Sequence, residues 1–232
     1  MSAARYAIYF TPTQGTPWWK FGAHWLGRNE CTNQALVQPT LEEIPAQQLL
    51  QLTAYPRRYG FHATLKAPFV LRDGVTEGDL LLRMRALAQQ LQPVALGPMV
   101  ATRLDNFTAV LPQSPPAALG TLAASCVTSL DDLRAPLSQQ DLARRLAQNL
   151  DARQQELLMQ YGYPHVLERY QLHFTLTGPI AEPLAQRMVH AVEDSIARLN
   201  QEQPLVLDRL CLFVESEPGA NFVRLADAEL LA

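Results

Sequence analysis

YGFHATLKAPF, at Tyr59–Phe69, and YQLHFTLTGPI, at Tyr170–Ile180, decide how this sequence is read. At an offset of 111 residues Tyr59 falls on Tyr170, His62 on His173, Thr64 on Thr175, Leu65 on Leu176 and Pro68 on Pro179, with Arg58 on Arg169 just before. Five His and 14 Thr in 232 residues would give fewer than one H-x-T by chance, and here two occur with matching flanks. A repeat of this kind governs the whole fold reading, so the chain is taken as two related halves.

Successive side chains on a strand point to opposite faces, so the His and Thr of an H-x-T share one face. Two such strands related by a pseudo-two-fold axis bring two imidazoles and two hydroxyls to one cleft. Histidine exchanges protons near neutral pH, so one neutral ring can deprotonate a nucleophile while a protonated one donates to a leaving oxygen. Hydroxyls on either side suit the charge that develops on non-bridging oxygens during phosphoryl transfer. The catalytic candidates are therefore His62, His173, Thr64 and Thr175. Candidate substrate-binding residues are Lys66, which shares parity with His62 and Thr64, together with Arg58, Arg169, Tyr59 and Tyr170. A turn between each Arg and its His would undo the parity of Arg58 and Arg169. His24, His165 and His190 have no repeat partner and read as structural.

Outward from the two blocks, Arg5 to Phe10 reads as a strand ended by a Pro- and Thr-rich stretch. Trp18, Trp19, Phe21 and Trp25 follow, either as a packed cap or as a stacking surface for a substrate ring. Leu80, Leu81, Met84, Leu87, Ala88 and Leu91 recur at helical spacing within 76–91. Strands near Met99–Leu104 and Phe107–Leu111, separated by Asp105-Asn106, read as a hairpin. Beyond a Pro-rich break a helix is expected to about Leu130. Another runs from a Ser138–Asp141 capping box toward Tyr161, stopped by Gly162. A helix over 183–199 and strands near Val206–Val214 and Phe222–Leu225 complete the chain. Each half reads strand, helix, hairpin, which puts the boundary between lobes of a single domain near 112–137.

Composition narrows the function. Hydrophobic residues at 48% with 18% charged exclude a disordered chain, and no run approaches the roughly 18 apolar residues of a membrane span. The net charge of −3 argues against a large nucleic-acid partner, which needs broad phosphate neutralisation. A small phosphate ester remains compatible. Cys31, Cys126 and Cys211 are too scattered for a C-x-x-C site and read as reduced thiols. The first ten residues lack the apolar core and cleavage site of a signal peptide, so a cytoplasmic location is expected. There is no H-E-x-x-H, no H-x-H and no nearby carboxylate at ligand spacing, so no metal is expected, and no glycine-rich loop for a dinucleotide or nucleoside triphosphate.

The paired H-x-T motifs, half a chain apart, resemble the signature of the two-histidine (2H) phosphoesterase superfamily. The strings RRYGFHATLKAPF at Arg57–Phe69, YGYP at Tyr161–Pro164, LHFTLTG at Leu172–Gly178, and WWKFG and WLGR near the start resemble a branch associated with phosphonate metabolism. The resemblance implies an α+β, bilobal fold of two pseudo-symmetric antiparallel sheets with flanking helices and a central cleft. It also implies cofactor-free, metal-independent cleavage of a phosphodiester by His62 and His173, aided by Thr64 and Thr175. Members of that branch are often encoded among phosphonate-utilisation genes, where a ribose cyclic phosphate arises. A small cyclic phosphate, of ribose or of a nucleotide, is thus the expected partner. Rival readings are a phosphometabolite-binding protein without turnover and a zinc hydrolase using the same two histidines.

Overall fold

The computed structural model describes residues 4–231. Its elements follow in chain order. The first half holds β1 (Arg5–Phe10), α1 (Pro17–Leu26), α2 (Ala46–Leu52), α3 (Ala54–Arg57), β2 (Ala63–Phe69), α4 (Glu77–Ala88), β3 (Val94–Ala95) and β4 (Met99–Leu104). The second holds β5 (Phe107–Pro112), α5 (Ala117–Thr128), α6 (Gln139–Leu146), α7 (Ala152–Tyr161), β6 (Phe174–Thr175), α8 (Glu182–Glu202), β7 (Val206–Leu207), β8 (Arg209–Glu215) and β9 (Val223–Glu229).

Seven strands pair antiparallel in the order β4-β5-β6-β2-β1-β8-β9, and β3 pairs with β7 in a small second sheet. Outward from the β6–β2 contact, β5 and β4 on one side mirror β1 and β8 on the other. In sequence β1, β2, α4, β3 and β4 correspond to β5, β6, α8, β7 and β8, and three helices are inserted between the first two strands of each half. Equivalent elements meet each other at β2–β6 and at β3–β7, as a pseudo-two-fold axis through both contacts requires. The α+β architecture with two pseudo-symmetric antiparallel strand sets therefore holds, and a single residue pair, Ala63 opposite Phe174, joins the sets into one sheet.

This symmetry moves the division between the halves. It falls at the Asp105-Asn106 turn, where Asp105 takes φ 52°, and not near 112–137. The hairpin is present as expected, but its two strands belong to different halves. Strand β4 completes the first half by pairing with β5 of the second, just as β8 crosses to pair with β1.

Helices α4 and α8 cover one face of the sheet, where their apolar stripes explain the core. Leu80, Met84, Leu87 and Ala88 of α4 and Met188, Val192, Ile196 and Leu199 of α8 pack with Ile8, Phe10, Leu65 and Leu176. Thr76 caps α4 reciprocally with Asp79. The helix expected from Ser138 toward Tyr161 is two helices, because Ser138 caps α6 and a second capping box, Asp151 with Gln154, starts α7 afresh. Gly162, at φ 74°, ends α7 as expected. The tryptophans form the packed cap: Trp18, Trp19 and Trp25 are buried, and their indole N–H groups donate to Gln203 O, Glu30 Oε1 and Leu176 O. The strand expected over Val206–Val214 is interrupted at Asp208, and the last strand runs to Glu229. Among the described residues no helix is long and apolar enough to cross a membrane.

Candidate active site

The face of the sheet opposite the main helices carries the two H-x-T motifs. Phe61, Ala63 and Leu65 are buried, as are Leu172, Phe174 and Leu176, while His62, Thr64, His173 and Thr175 between them are half-buried. The apolar residues thus anchor each strand in the core and turn the alternate polar ones toward the cleft. Ala63 opposite Phe174 is the contact that joins the two motif strands, antiparallel, with a His and a Thr flanking it on each. That contact sets the two motifs side by side, and His62, Thr64, His173 and Thr175 all line one cleft as a polar quartet.

Both rings are held identically. His62 Nδ1 lies 2.9 Å from Gly60 O, and His173 Nδ1 lies 3.0 Å from Gln171 O, the carbonyl two residues back in each case. A carbonyl only accepts, so each Nδ1 carries the proton and each Nε2 is left for exchange with a ligand. Gly60 sits at φ 78°, and a Cβ there would come within 2.8 Å of the Glu30 side chain. Glycine is what lets this loop present its carbonyl to His62. Arg28 secures the same loop by donating to the carbonyls of Arg57, Arg58 and Phe222.

Burial lowers the His62 pKa to about 4, against the gain from the Gly60 hydrogen bond and with a further lowering from the charge of His173. Burial also lowers that of His173, opposed by its bond to Gln171. Both rings are thus neutral near pH 7 when nothing is bound. Tyr9 stacks at a tilt on His62, with ring centroids 3.9 Å apart, and Phe107 lies 5.7 Å from His173. Among the described residues neither Thr64 nor Thr175 has a protein hydrogen-bond partner for its hydroxyl, and no three His, Cys, Asp or Glu side chains group closely enough to hold a metal ion.

The quartet opens into a cleft of about 730 Å³. Of the residues expected to bind substrate, Arg58 and Tyr59 line it. Arg58 is held by an ion pair to Glu215 and by a 2.9 Å bond from Nε to Ala220 O, and Tyr59 stacks on Phe222 at 5.1 Å. Lys66, Arg169 and Tyr170 lie elsewhere. Strand β1 pairs Tyr9 with Thr64 but Ile8 with Lys66, so β2 carries an extra residue at Leu65. That bulge breaks the parity, and Lys66 lies outside the cleft, buried with its Nζ 2.9 Å from Asp131 and 3.1 Å from Val127 O. Arg169 ends a 3-10 turn in which Leu167 has φ 52°, and it pairs outward with Asp151 at 2.8 Å. Tyr170 packs against the main core with its hydroxyl buried. Sequence reasoning missed Tyr9, Tyr55 and Tyr163 in the wall, and it placed His165, also in the wall, among structural histidines. Tyr9 alone had a readable signal, being on the face of its strand opposite Ile8 and Phe10.

The sequence profile of the family described as "Protein of unknown function (DUF1045)" matches residues 64–223, from Thr64 of the first motif to β9. The chain belongs to the DUF1045 family. Its curated relatives include proteins named "Ribose 1,5-bisphosphate phosphokinase PhnN". The one from Janthinobacterium sp. (strain Marseille) is 40% identical over 225 residues, covering 96% of this chain and 50% of the relative. The one from Laribacter hongkongensis (strain HLHK9) is 34% identical over 219 residues, covering 94% and 50%. The DUF1045 chain thus spans about half the length of these relatives. Among solved structures it is similar to a phosphoesterase, at 13% identity and a TM-score of 0.44. It is also similar to E. coli LigT complexed with 3′-AMP, at 14% and 0.45; each match covers 100% of both chains.

Proposed function

We propose that this DUF1045 chain is a metal-independent cyclic phosphodiesterase of the two-histidine type, acting on a small cyclic phosphate of ribose or of a nucleotide in phosphonate utilisation. The observation that carries the reading is the quartet of both motifs on one cleft, with both Nδ1 atoms bonded to backbone carbonyls and both Nε2 atoms left over. One Nε2 accepts a proton from water as the water oxygen bonds to phosphorus. The other imidazole, protonated, donates to the ester oxygen as its bond to phosphorus breaks, and the ring opens to a phosphomonoester and a free hydroxyl. Thr64 and Thr175 donate to the non-bridging oxygens, where charge accumulates. The cyclic phosphate carries a negative charge of its own, and its arrival between the rings favours the one imidazolium that the reaction needs.

The names of the relatives support a ribosyl phosphate as the substrate class, because a ribose cyclic phosphate opens to a ribose phosphate. The phosphokinase activity in those names is not carried over, since the chain has no glycine-rich triphosphate loop. The test is product formation followed by ³¹P NMR on a panel of 2′,3′-cyclic nucleotides and ribose cyclic phosphates, with EDTA present. Turnover is expected to survive EDTA and to fall by about 10² to 10⁴ in His62→Ala and in His173→Ala, the range for loss of one acid–base group. Full activity in either variant rules the mechanism out. Ligand-shifted spectra without product would make the protein a phosphometabolite binder, and activity lost on chelation and restored by zinc would make it a metal hydrolase.

A further inference from the structure

The cleft does not end at the quartet. Away from the histidines its wall passes to Arg5 and then to Arg144 and Arg145 of α6, and these three also line an adjoining cavity of about 260 Å³ that reaches Lys66 and Arg134. Six cations, Arg5, Arg58, Lys66, Arg134, Arg144 and Arg145, border the two spaces, in a chain whose net charge is −3. Five of them are committed to carboxylates: Arg5 and Arg58 share Glu215, Lys66 and Arg134 share Asp131, and Arg144 pairs with Asp141 at 2.6 Å. Three carboxylates therefore face six cations, which leaves a local excess of positive charge.

Arg145 is the exception. Among the described residues its guanidinium makes no ion pair and no hydrogen bond, and its Nε is buried with no partner. Its guanidinium carbon lies over the Tyr163 ring at 5.6 Å, a contact that orients the group without satisfying a donor. Burial lowers its pKa, with Arg144 and Arg5 acting the same way and Tyr163 and Asp141 opposing them, so an anion at this point would favour the charged group and accept its hydrogen bonds. A buried, unpaired donor is costly to a folded protein unless a ligand meets it.

We propose that Arg145, backed by Arg5 and Arg144, is a subsite for a second phosphate, and that the preferred substrate is a cyclic phosphodiester carrying an additional phosphomonoester. This rests on the cyclic phosphodiesterase reading and adds a specificity to it. The cyclic phosphate lies between the two H-x-T motifs and the monoester at the junction of the two cavities. A planar guanidinium with five donors suits a dianionic terminal phosphate.

The matched substrates are adenosine 2′,3′-cyclic phosphate and the same compound bearing a 5′-phosphate, which differ only in the monoester. The intact protein is expected to prefer the 5′-phosphorylated compound in kcat/KM. In Arg145→Gln that preference is expected to collapse by about 10- to 100-fold, the worth of a charged hydrogen bond, with partial recovery in Arg145→Lys. A protein with no preference overturns the proposal. So does an Arg145→Gln variant that slows both compounds equally, because that reports lost packing on Tyr163. A ³¹P NMR titration with ribose 5-phosphate, alongside ribose followed by ¹H NMR, covers the case in which neither compound turns over. Binding of ribose 5-phosphate that is lost in Arg145→Gln supports the subsite even though the phosphodiesterase reading then fails. Binding equal in both proteins, or absent from both, overturns it.

Discussion

His62 and His173 are equivalent in sequence but not in surroundings. His62 lies under Tyr9 and beside Tyr59, while among the described residues His173 meets the ring of Phe107 alone, and the pKa of His62 is the one brought to about 4. An acid–base pair needs one neutral and one protonated ring, so free enzyme in that state is most abundant between the two lowered pKa values. The kcat/KM profile, which reports free enzyme, is therefore expected to be bell-shaped with its maximum on the acid side of the ordinary histidine value of 6.5. Substrate anion favours the imidazolium, so the kcat profile should lie at higher pH than the kcat/KM profile. Initial rates across the acid and neutral range decide this. A kcat/KM maximum at about pH 8 would mean that the rings are not the titrating pair. At this scale the sequence already named the histidines and threonines, because strand alternation is local. It did not distinguish Arg58, which lines the cleft, from Arg169, which does not, since matching i→i−3 turns precede Tyr59 and Tyr170 and the two arginines differ in their distant partners, Glu215 for Arg58 and Asp151 for Arg169.

Elements set the precision with which those side chains are held. Strand β6 is only two residues long, and its neighbours β2 and β5 supply its ladder. Helix α4 lies on the far face, and its start depends on Thr76, which accepts from Asp79 N while Asp79 accepts from Thr76 N. Thr76→Ala is expected to cost about 1 kcal/mol of stability, the usual worth of an N-cap, and to leave kcat unchanged because α4 does not reach the cleft. Thermal melts and steady-state rates measured on the same preparation test both halves of that statement. A variant as stable as the parent would show that the cap contributes nothing in this context. Helix stripes and caps were legible in the sequence because they depend on residues three or four apart. The break between α6 and α7 was legible only in part: the start signal at Ser138 is plain, but Asp151 reads as a cap only once the chain before it is known to leave the helix.

For the whole molecule, the duplicated layout concentrates buried neutral histidines and excess cations on one side of a single sheet. His62 has a folded pKa of about 4 against 6.5 in an unfolded chain, and those of His165 and His173 are lowered too. As pH falls below 6.5 the unfolded chain takes up protons that the folded one refuses, so stability declines toward the folded pKa values; above 6.5 this contribution is constant. Carboxylates such as Asp131 and Asp227, held below the usual 3.8, add their own loss only at lower pH. The midpoint of thermal unfolding is accordingly expected to drop between neutral pH and about pH 5, and to drop less in His62→Gln. An identical slope in parent and variant would show that His62 titrates alike in the folded and unfolded chains.

The sequence by itself determined that the chain is an α+β duplication, which residues repeat, where the apolar stripes of α4 and α8 lie, and that each His shares a face with its Thr. All of these follow from periodicities carried within a few residues, or from identities between the halves. Tertiary structure alone decided that the hairpin joins the two halves, that Lys66 leaves the cleft, and that Tyr9, His165 and Arg145 enter it. A bulge of one residue reverses the side chains up to the next register shift, and a cleft wall is assembled from segments more than a hundred residues apart. Neither leaves a period in the sequence, because both are fixed by which strand pairs with which and in what register.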